Sequence, residues 1–203
     1  MLALIMAGGR GTRLNKGEKP LVSIYGAPMI SYVHRALTAA RLDPVVVTSP
    51  QTPMTFEWCK ANGIERCHAD GRGFIEDTIQ AVQTLGEHHP VFVCVSDIPC
   101  VTCKSIQFIA ESYRLSGKEA CSSWVPSYLF PGFNRDLPYL GMIDGIEAYP
   151  AGVNILRGDM IKQPQQEVCL LIHDPGLALN VNTRADLAAA EDFLKRKNNN
   201  SPE

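Results

Sequence analysis

The first twenty residues constrain this chain more than any other segment. Residues 2–6 are a short apolar run, which is typical of a buried parallel strand. Residues 7–20 follow as a loop with four glycines, four basic residues and one acidic residue, a formal charge of +3. Glycines let backbone N–H groups approach an anion closely, since no Cβ intervenes, and the basic side chains add positive charge. The segment therefore predicts a polyphosphate site at the end of a strand.

Length and charge argue against several classes of protein. The 203 residues fit one domain, which we expect to span residues 1–197 and to end in a frayed polar tail over 198–203. A net charge of −2 argues against a nucleic-acid-binding protein, which usually carries a basic surface. No apolar stretch reaches the ~18 residues that a membrane span needs, and the first apolar run is too short for a signal peptide. We therefore expect a cytoplasmic protein with no membrane span.

The seven cysteines fit reduced thiols, since an odd number cannot pair fully within one chain. Cys100 and Cys103 form a C-x-x-C motif, which occurs both in zinc sites and in redox pairs. A zinc site needs two further ligands at a recognisable spacing, and the sequence offers no obvious ones. A coincidental pair is therefore the preferred interpretation of this motif.

The pattern of apolar residues predicts an α/β fold with a mostly parallel central sheet and helices on both faces. Candidate strands at 2–6, 44–48, 64–68 and 91–96 alternate with candidate helices at 28–41, 53–62, 74–85 and 103–115. A small extra strand is predicted at 21–24, and further strands at 120–125, 149–156 and 167–172 precede a closing helix at 183–197. In such sheets ligands bind beyond the carboxyl ends of the strands.

Residues 124–152 hold six of the chain's fifteen aromatic residues together with four prolines, and so predict a long irregular excursion. Long ordered loops are often functional. One interpretation of this segment is a pocket for a second substrate, the acceptor of the reaction. The other is an additional hydrophobic core or a dimer surface, and the sequence favours neither.

The opening loop differs from two common phosphate-binding motifs. A P-loop needs Ser or Thr directly after its lysine, whereas Lys19 is followed by Pro20. The dinucleotide-binding motif needs a glycine where this chain has Leu14, and the acidic residue expected about twenty residues further on is missing. The loop is also more basic than the two phosphates of a dinucleotide require. We therefore predict a triphosphate ligand.

Two polar elements are predicted to face the same crevice as this loop. Asp97 follows an apolar run at the carboxyl end of a strand, where a carboxylate can hold Mg²⁺ against phosphate oxygens. Asn180 and Asn182 lie on one face of an extended segment, and an amide oxygen also suits Mg²⁺. Helix capping is the alternative for both elements, for Asp97 at the helix near residue 103 and for Asn182 at the last helix. Mg²⁺ binding is preferred for Asp97, because several residues separate it from that helix.

Several motifs resemble a known group of enzymes. The run LALIMAGGRGTRLNKGEKPL, with SDIP and LNVNT further on, resembles the nucleotidyltransferases that share the molybdopterin-guanylyltransferase fold. The shorter motifs SPQTP, GRGFIED, YPAGVN and LNVNT are similar to those of the archaeal-type GTP:adenosylcobinamide-phosphate guanylyltransferases. The resemblance covers nearly the whole chain in order, apart from residues 127–146, and implies a Rossmann-like nucleotidyltransferase fold.

The resemblance implies a homodimer that transfers GMP from GTP to a phosphorylated corrinoid acceptor, adenosylcobinamide phosphate, with release of pyrophosphate. The implied catalytic residues are Arg13, Lys19 and Asp97, and Mg²⁺ is assigned to Asp97 and Asn182. The implied nucleotide-binding residues are Ala7, Gly8, Gly9, Gly11, Thr12, Ser49, Gly71, Gly73, Asp77 and Asn154. Transfer to molybdopterin, a sugar phosphate or phospholactate remains an alternative, as does a non-catalytic GTP-binding protein.

Overall fold

Strands and helices alternate along the chain. This computed structural model describes residues 1–9, 11, 14, 17–130 and 139–199. The strands are β1 (Leu2–Met6), β2 (Ser23–Ile24), β3 (Ala27–Pro28), β4 (Asp43–Thr48), β5 (Arg66–His68), β6 (Pro90–Val95), β7 (Ala120–Pro126), β8 (Gly141–Ile143), β9 (Ile146–Arg157) and β10 (Glu167–Leu171). The α-helices are α1 (Met29–Ala39), α2 (Pro53–Ala61), α3 (Phe74–Leu85), α4 (Cys103–Ser116) and α5 (Arg184–Asn199).

The main sheet has the order β10-β7-β9-β6-β1-β4-β5, with β8 paired to β9. β1 is parallel to both of its neighbours, β4 and β6, whereas β9 is antiparallel to β6 and β7. The short strands β2 and β3 form a separate antiparallel pair. The predicted α/β fold with a mostly parallel sheet is confirmed, and the antiparallel direction of β9 and its partner β8 are additions to it.

The central strands are apolar because helices cover both of their faces. Successive residues of a strand point to opposite faces. In β1, Ala3 and Ile5 pack into the core beneath α1 and α4, while Leu4 packs into the core beneath α3. A further apolar cluster contains Leu14 from the amino-terminal loop and Leu187 from α5. Helix α5 therefore holds that loop against the rest of the domain.

The strand order creates a crevice beside β1. The chain passes from β1 to β4 and β5 on one side and then crosses to β6 on the other side. The segments that leave β1 and β6 therefore diverge, and ligands of open α/β sheets bind at such a reversal of strand order. Met6 and Val95 are paired at the ends of these strands, so the start of the glycine loop lies next to the segment that carries Asp97.

Element ends shift by a few residues from the predicted ones. α3 matches its predicted range and ends at Gly86, whose φ of 63° is a conformation that favours glycine. The predicted strand at 21–24 is reduced to β2. Helix α5 continues through Asn199, two residues into the predicted tail, and residues 200–203 lie outside the described chain. Among the described residues, no helix is both long enough and apolar enough to span a membrane.

We expect Phe92→Ala to lower the free energy of unfolding by about 3–5 kcal/mol, because the ring is fully buried in the central strand β6 and its removal leaves a cavity. Phe108→Ala is the control, since Phe108 is 53% exposed on α4, and its change should stay within about 0.5 kcal/mol. Urea unfolding of the two variants measures both values. Equal losses would contradict the assignment of Phe92 to the core.

Candidate active site

A cleft of about 340 Å³ opens at the carboxyl ends of β1, β4 and β6. Its walls are the glycine loop after β1, the turn after β4, the segment that leads into α3, and Asn182, which lies shortly before α5. Nine of the predicted site residues line it, namely Gly8, Gly9, Gly11, Lys19, Gly71, Gly73, Asp77, Asp97 and Asn182. The structure thus brings together residues that are up to 174 positions apart in the chain, from Gly8 to Asn182.

Lys19 lies at the centre of the polar contacts in this cleft. Its Nζ donates a hydrogen bond to Asn182 Oδ1 at 2.9 Å and forms a hydrogen-bonded ion pair with Asp97 Oδ2. The side chains of Lys19 and Asp97 are only 12% and 18% exposed. A preorganised ammonium group that is shielded from water is suited to stabilising phosphate charge.

Asn182 is held in this orientation by its neighbours. Its Nδ2 donates to Asn180 Oδ1 at 2.6 Å, so Asn182 contacts Lys19 and Asn180 supports it. The capping interpretation applies instead to the next residues: Thr183 Oγ1 accepts from the Asp186 N–H at 3.2 Å, and Asp186 Oδ2 accepts from the Thr183 N–H at 2.8 Å. Thr183 and Asp186 thus form a capping box for α5, which leaves the Asn182 side chain to the cleft.

Asp97 is not the cap of α4 that the alternative interpretation required. Thr102 caps that helix, because its hydroxyl accepts from the Ser105 N–H at 3.1 Å. The second carboxylate oxygen of Asp97, Oδ1, is buried and has no hydrogen-bond partner among the described residues. A buried carboxylate oxygen without a partner is costly, which fits a cation that binds there together with the ligand.

Two glycines of the glycine loop pack closely against other residues, Gly8 against Ser49 and Gly11 against Lys19. Ser49 Oγ donates to the Gly8 carbonyl oxygen at 2.7 Å, and a Cβ on Gly8 would lie only 3.1 Å from the Cβ of Ser49. Gly11 has a φ of +56°, and a Cβ there would lie 2.3 Å from the Cβ of Lys19. Ser49 and Ala7 are themselves buried, so they support the loop from behind rather than line the cleft.

The second glycine-containing segment is shaped by Asp77. Its Oδ1 accepts hydrogen bonds from the backbone N–H groups of Gly71 and Arg72, both at 3.0 Å. Gly73 has a φ of +139°, a conformation that side chains rarely adopt, and leads directly into α3. Phe74, the first residue of that helix, is 45% exposed and lines the cleft. The Asp77 carboxylate is therefore engaged by the loop, which it holds in place.

Like Ala7 and Ser49, Asn154 is a predicted residue that does not line the cleft. Asn154 lies inside the sheet, paired with Val93 of β6 and Ser122 of β7, and Gly152 of the same strand is the residue that packs against Val95 at the cleft edge. Arg13 and Thr12 lie outside the described residues.

Sequence reasoning did not identify six of the residues that line the cleft, among them Gln51 and Phe74. Both lie inside motifs that carry the resemblance, SPQTP and GRGFIED. Membership of these motifs is the signal by which they could have been predicted. Neither residue carries a charge, so the pattern of charged residues does not mark them.

The C-x-x-C motif does not form a reactive pair. Burial raises the pKa of the Cys100 thiol to about 12, so this thiol stays protonated at neutral pH. Its sulfur donates to the Ala190 carbonyl oxygen at 3.7 Å. The described residues contain no group of three His, Cys, Asp or Glu side chains that could hold a metal ion. The burial of Cys100 favours the coincidental interpretation, which stays a prediction.

The aromatic-rich segment divides into a buried part and an exposed part. The ring of the buried Tyr149 lies 5.2 Å from that of Phe130, edge to face, as in a hydrophobic core. Tyr139 and Met142 are 80% and 64% exposed at the β8–β9 hairpin. Because Val153 of β9 pairs with Cys94, the residues before Gly152 project beyond the carboxyl end of β6, which is the edge that carries the cleft. Residues 131–138 lie outside the described chain.

Comparison with known proteins identifies the family of this chain. Residues 3–169 match the family model of the MobA-like NTP transferase domain. The chain is 32% identical over 207 residues to an adenosylcobinamide-phosphate guanylyltransferase of Methanocaldococcus jannaschii, an alignment that covers 97% of this chain and 98% of that protein. It is 28% identical to a probable molybdenum cofactor guanylyltransferase of Thermococcus gammatolerans, over 64% of this chain and 66% of that protein.

Solved structures share the fold. A CMP:2-keto-3-deoxy-manno-octonic acid synthetase in complex with CTP superposes with a TM-score of 0.71 over 97% of this chain and 98% of its own, at 15% identity. A hypothetical transferase from Thermus thermophilus gives a TM-score of 0.69 over 92% of this chain and 100% of its own, at 19% identity. These likenesses bear out the Rossmann-like nucleotidyltransferase fold. Because the family model spans most of the chain, the chain belongs to the MobA-like NTP transferase family and is a nucleotidyltransferase.

Proposed function

We propose that the chain transfers GMP from GTP to adenosylcobinamide phosphate, giving adenosylcobinamide-GDP and pyrophosphate. The observation that carries the proposal is the meeting of Lys19, Asp97 and Asn182 in a cleft whose opposite wall is glycine backbone. The Methanocaldococcus jannaschii relative aligns over nearly the full chain. Its name, adenosylcobinamide-phosphate guanylyltransferase, specifies the same acceptor and the same transferred group.

The guanine is proposed to bind beside Gln51 and Phe74. Guanine has a carbonyl that accepts a hydrogen bond and N–H groups that donate, so its pocket needs both a donor and an acceptor. Gln51 carries both in one side chain, and its Nε2 lies 3.5 Å from the Gly71 carbonyl oxygen. The half-exposed Phe74 ring offers a stacking surface on the same wall.

The triphosphate is proposed to follow the glycine loop toward Lys19. An oxygen of the acceptor phosphate attacks the α-phosphorus, the bond from phosphorus to the bridging oxygen breaks, and pyrophosphate leaves with the electron pair. The attacking oxygen is already anionic, so the step needs no general base. Its difficulty is the repulsion between two anions, which the ammonium group of Lys19 lowers. Arg13 is proposed to contact the β- and γ-phosphates.

The donor set in the cleft fits Mg²⁺. We assign the ion to Asp97, whose Oδ1 has no partner among the described residues, and to the amide oxygen of Asn182. Mg²⁺ commonly needs only one or two protein carboxylates, because phosphates and water supply its other ligands. When bound, the ion would neutralise part of the phosphate charge.

The exposed side of the aromatic-rich segment is proposed to contact the acceptor. Its apolar side chains, among them Tyr139 and Met142, stand at the same sheet edge as the cleft. A corrinoid is large and partly apolar, so it needs such a surface next to the site that receives its phosphate. The proposed homodimer would use the same kind of surface, and it too remains a prediction.

A different acceptor is the second candidate function. Molybdenum cofactor guanylyltransferases also match the chain, over 64% of its length for the Thermococcus gammatolerans protein and 80% for one from Pseudomonas putida. The same cleft would then serve a molybdopterin in place of the corrinoid.

The proposed function is tested by incubating the protein with Mg²⁺, each of the four NTPs and either adenosylcobinamide phosphate or molybdopterin. We expect pyrophosphate from GTP and the corrinoid, at a rate at least about 100-fold above that with ATP, because a site that hydrogen-bonds one base rejects another strongly. Mass spectrometry should detect adenosylcobinamide-GDP. Release with molybdopterin alone would favour the second candidate, and no release from any pair would refute both.

Lys19→Ala should slow turnover about 100-fold, because one preorganised contact to the transition state is lost. The matched control is Lys104→Ala, which removes an exposed lysine of α4 and should leave turnover unchanged. Steady-state kinetics gives kcat for both variants, and circular dichroism checks that they are folded. Near-normal turnover in Lys19→Ala would exclude Lys19 from the mechanism.

Gly11→Ala should lower kcat/KM for GTP at least about tenfold, because the added methyl group would lie 2.3 Å from the Cβ of Lys19 and displace that residue. Gly17→Ala is the control: Gly17 also has a positive φ, of +81°, but a Cβ there meets no described atom within 4 Å. It should lose stability, by about 1 kcal/mol, and keep most of its activity. Equal kinetic losses in the two variants would show that backbone strain alone is responsible.

A further inference from the structure

Helix α2 begins without a cap from its own sequence. Thr52 occupies the N-cap position, but its hydroxyl accepts a hydrogen bond from the Ser49 N–H at 3.1 Å, and no capping bond to α2 is described for it. Pro53 comes next and has no N–H. The N–H groups of Met54 and Thr55 therefore need an acceptor from elsewhere, because no preceding turn of helix supplies one.

Glu18 supplies that acceptor from 36 residues earlier in the chain. Its Oε1 accepts from the Met54 N–H at 2.7 Å, and its Oε2 accepts from the N–H and from the hydroxyl of Thr55, both at 2.6 Å. Hydrogen bonds to a carboxylate are short and strong, and a negative charge at a helix N-terminus is favourable. The far end of the glycine loop is thereby fastened to α2.

The charge of Glu18 is otherwise unfavourable at this place. It is the one acidic residue in the segment 7–20, whose other charges are positive, and it directly precedes Lys19. A carboxylate facing the cleft would repel phosphate. Because both of its oxygens accept hydrogen bonds from the first turn of α2, that helix stabilises the negative charge and the carboxylate is not directed at the cleft.

We propose that Glu18 is a positioning residue that fixes Lys19 in the cleft, an inference that rests on the proposed function. The backbone after it forms a short turn, in which the Leu21 N–H donates to the Glu18 carbonyl oxygen at 3.0 Å and the Val22 N–H to that of Lys19 at 3.1 Å. Glu18 fastens the start of this turn, so the Lys19 side chain extends from a fixed backbone toward Asp97. The side-chain bonds of Glu18 to Met54 and Thr55 also join the phosphate-binding loop to α2, which directly follows the turn at 49–52 beside which we place the guanine.

Glu18→Ala tests this role against that of a simple helix cap. We expect kcat to fall about tenfold, because a catalytic group that is displaced by even about 1 Å loses much of its effect. Glu18→Gln should lie in between, since a neutral amide has one acceptor oxygen in place of two. The matched control is Glu57→Ala, which removes an exposed carboxylate from the same helix and should leave kcat unchanged. All rates are measured well below the lowest melting temperature of the set.

A double-mutant cycle with Lys19→Ala identifies the residue through which Glu18 acts. If Glu18 acts through Lys19, adding Glu18→Ala to Lys19→Ala lowers kcat no further. An equal tenfold loss in that background would overturn the proposal. So would a Glu18→Ala protein that melts at a lower temperature but turns over within twofold of the wild type, because that is the behaviour of a cap alone.

Hydrogen exchange separates this inference from the proposed function. The peptide that covers residues 17–22 should exchange at least about tenfold faster in Glu18→Ala than in Glu57→Ala, whether or not a substrate has been identified. Unchanged exchange would refute the anchoring of the loop. If the wild-type protein releases no pyrophosphate but the exchange does increase, the reaction proposed above fails while the anchor stands.

Discussion

The architecture of the cleft depends on one largely buried ion pair. Lys19 and Asp97 follow two neighbouring strands, β1 and β6, and meet where those strands end. Removing two charges from water costs several kcal/mol each, so such a pair is a weak source of stability. Its consequence is electrostatic. Without nucleotide each group neutralises the other, and the ammonium group already lies where phosphate charge is proposed to arrive, so little reorganisation accompanies the reaction.

Several groups in the cleft are held by a partner behind them. Asn180 orients Asn182, Asp77 fixes the backbone of Gly71 and Arg72, Ser49 holds the Gly8 carbonyl, and Glu18, the residue before Lys19, accepts hydrogen bonds from the start of α2. All but one of these supporting bonds join a polar side chain to a backbone group. Sites supported in this way keep their geometry within the narrow limits that catalysis requires. Bonds of this kind therefore restrain the described groups that they support.

The sequence predicts much of this fold because the signals are local. Apolar runs and helical periodicity are enough to locate β1, β6 and α3, and the carboxyl ends of parallel strands bring Asp97 to the glycine loop. Asn154 shows where such reasoning stops. Asn154 belongs to the motif YPAGVN, which carries the resemblance. However, β9 begins three residues earlier than its predicted start and pairs with β8. The register of β9 against β6 then places Gly152, and not Asn154, at the edge of the cleft. Register is set by long-range pairing, which local patterns do not contain.

The partners of Asp77 and Glu18 were equally hidden from the sequence. Both carboxylates accept hydrogen bonds from backbone N–H groups of segments whose conformations depend on tertiary structure. Asp77 binds a loop with a positive φ at Gly71. Glu18 binds the start of α2, whose N-cap residue Thr52 accepts a hydrogen bond from Ser49 instead of capping the helix. An acidic residue near a helix start is commonly explained by the helix dipole, and for Glu18 the helix concerned is not even its neighbour in the chain.

The glycine-loop side of the cleft and its hairpin side differ in how strongly they constrain the sequence. Any relative that joins an anionic acceptor to a triphosphate needs cations and close-packed backbone at the ends of β1 and β6, and those needs fix residue types at particular positions. The body of the acceptor is proposed to meet apolar side chains at the β8–β9 hairpin, where Tyr139 and Met142 are exposed. Apolar contact is non-directional, so many sequences satisfy it and no short motif marks it. If the acceptor binds there as proposed, its identity is decided by the shape of the hairpin edge and not by the glycine loop.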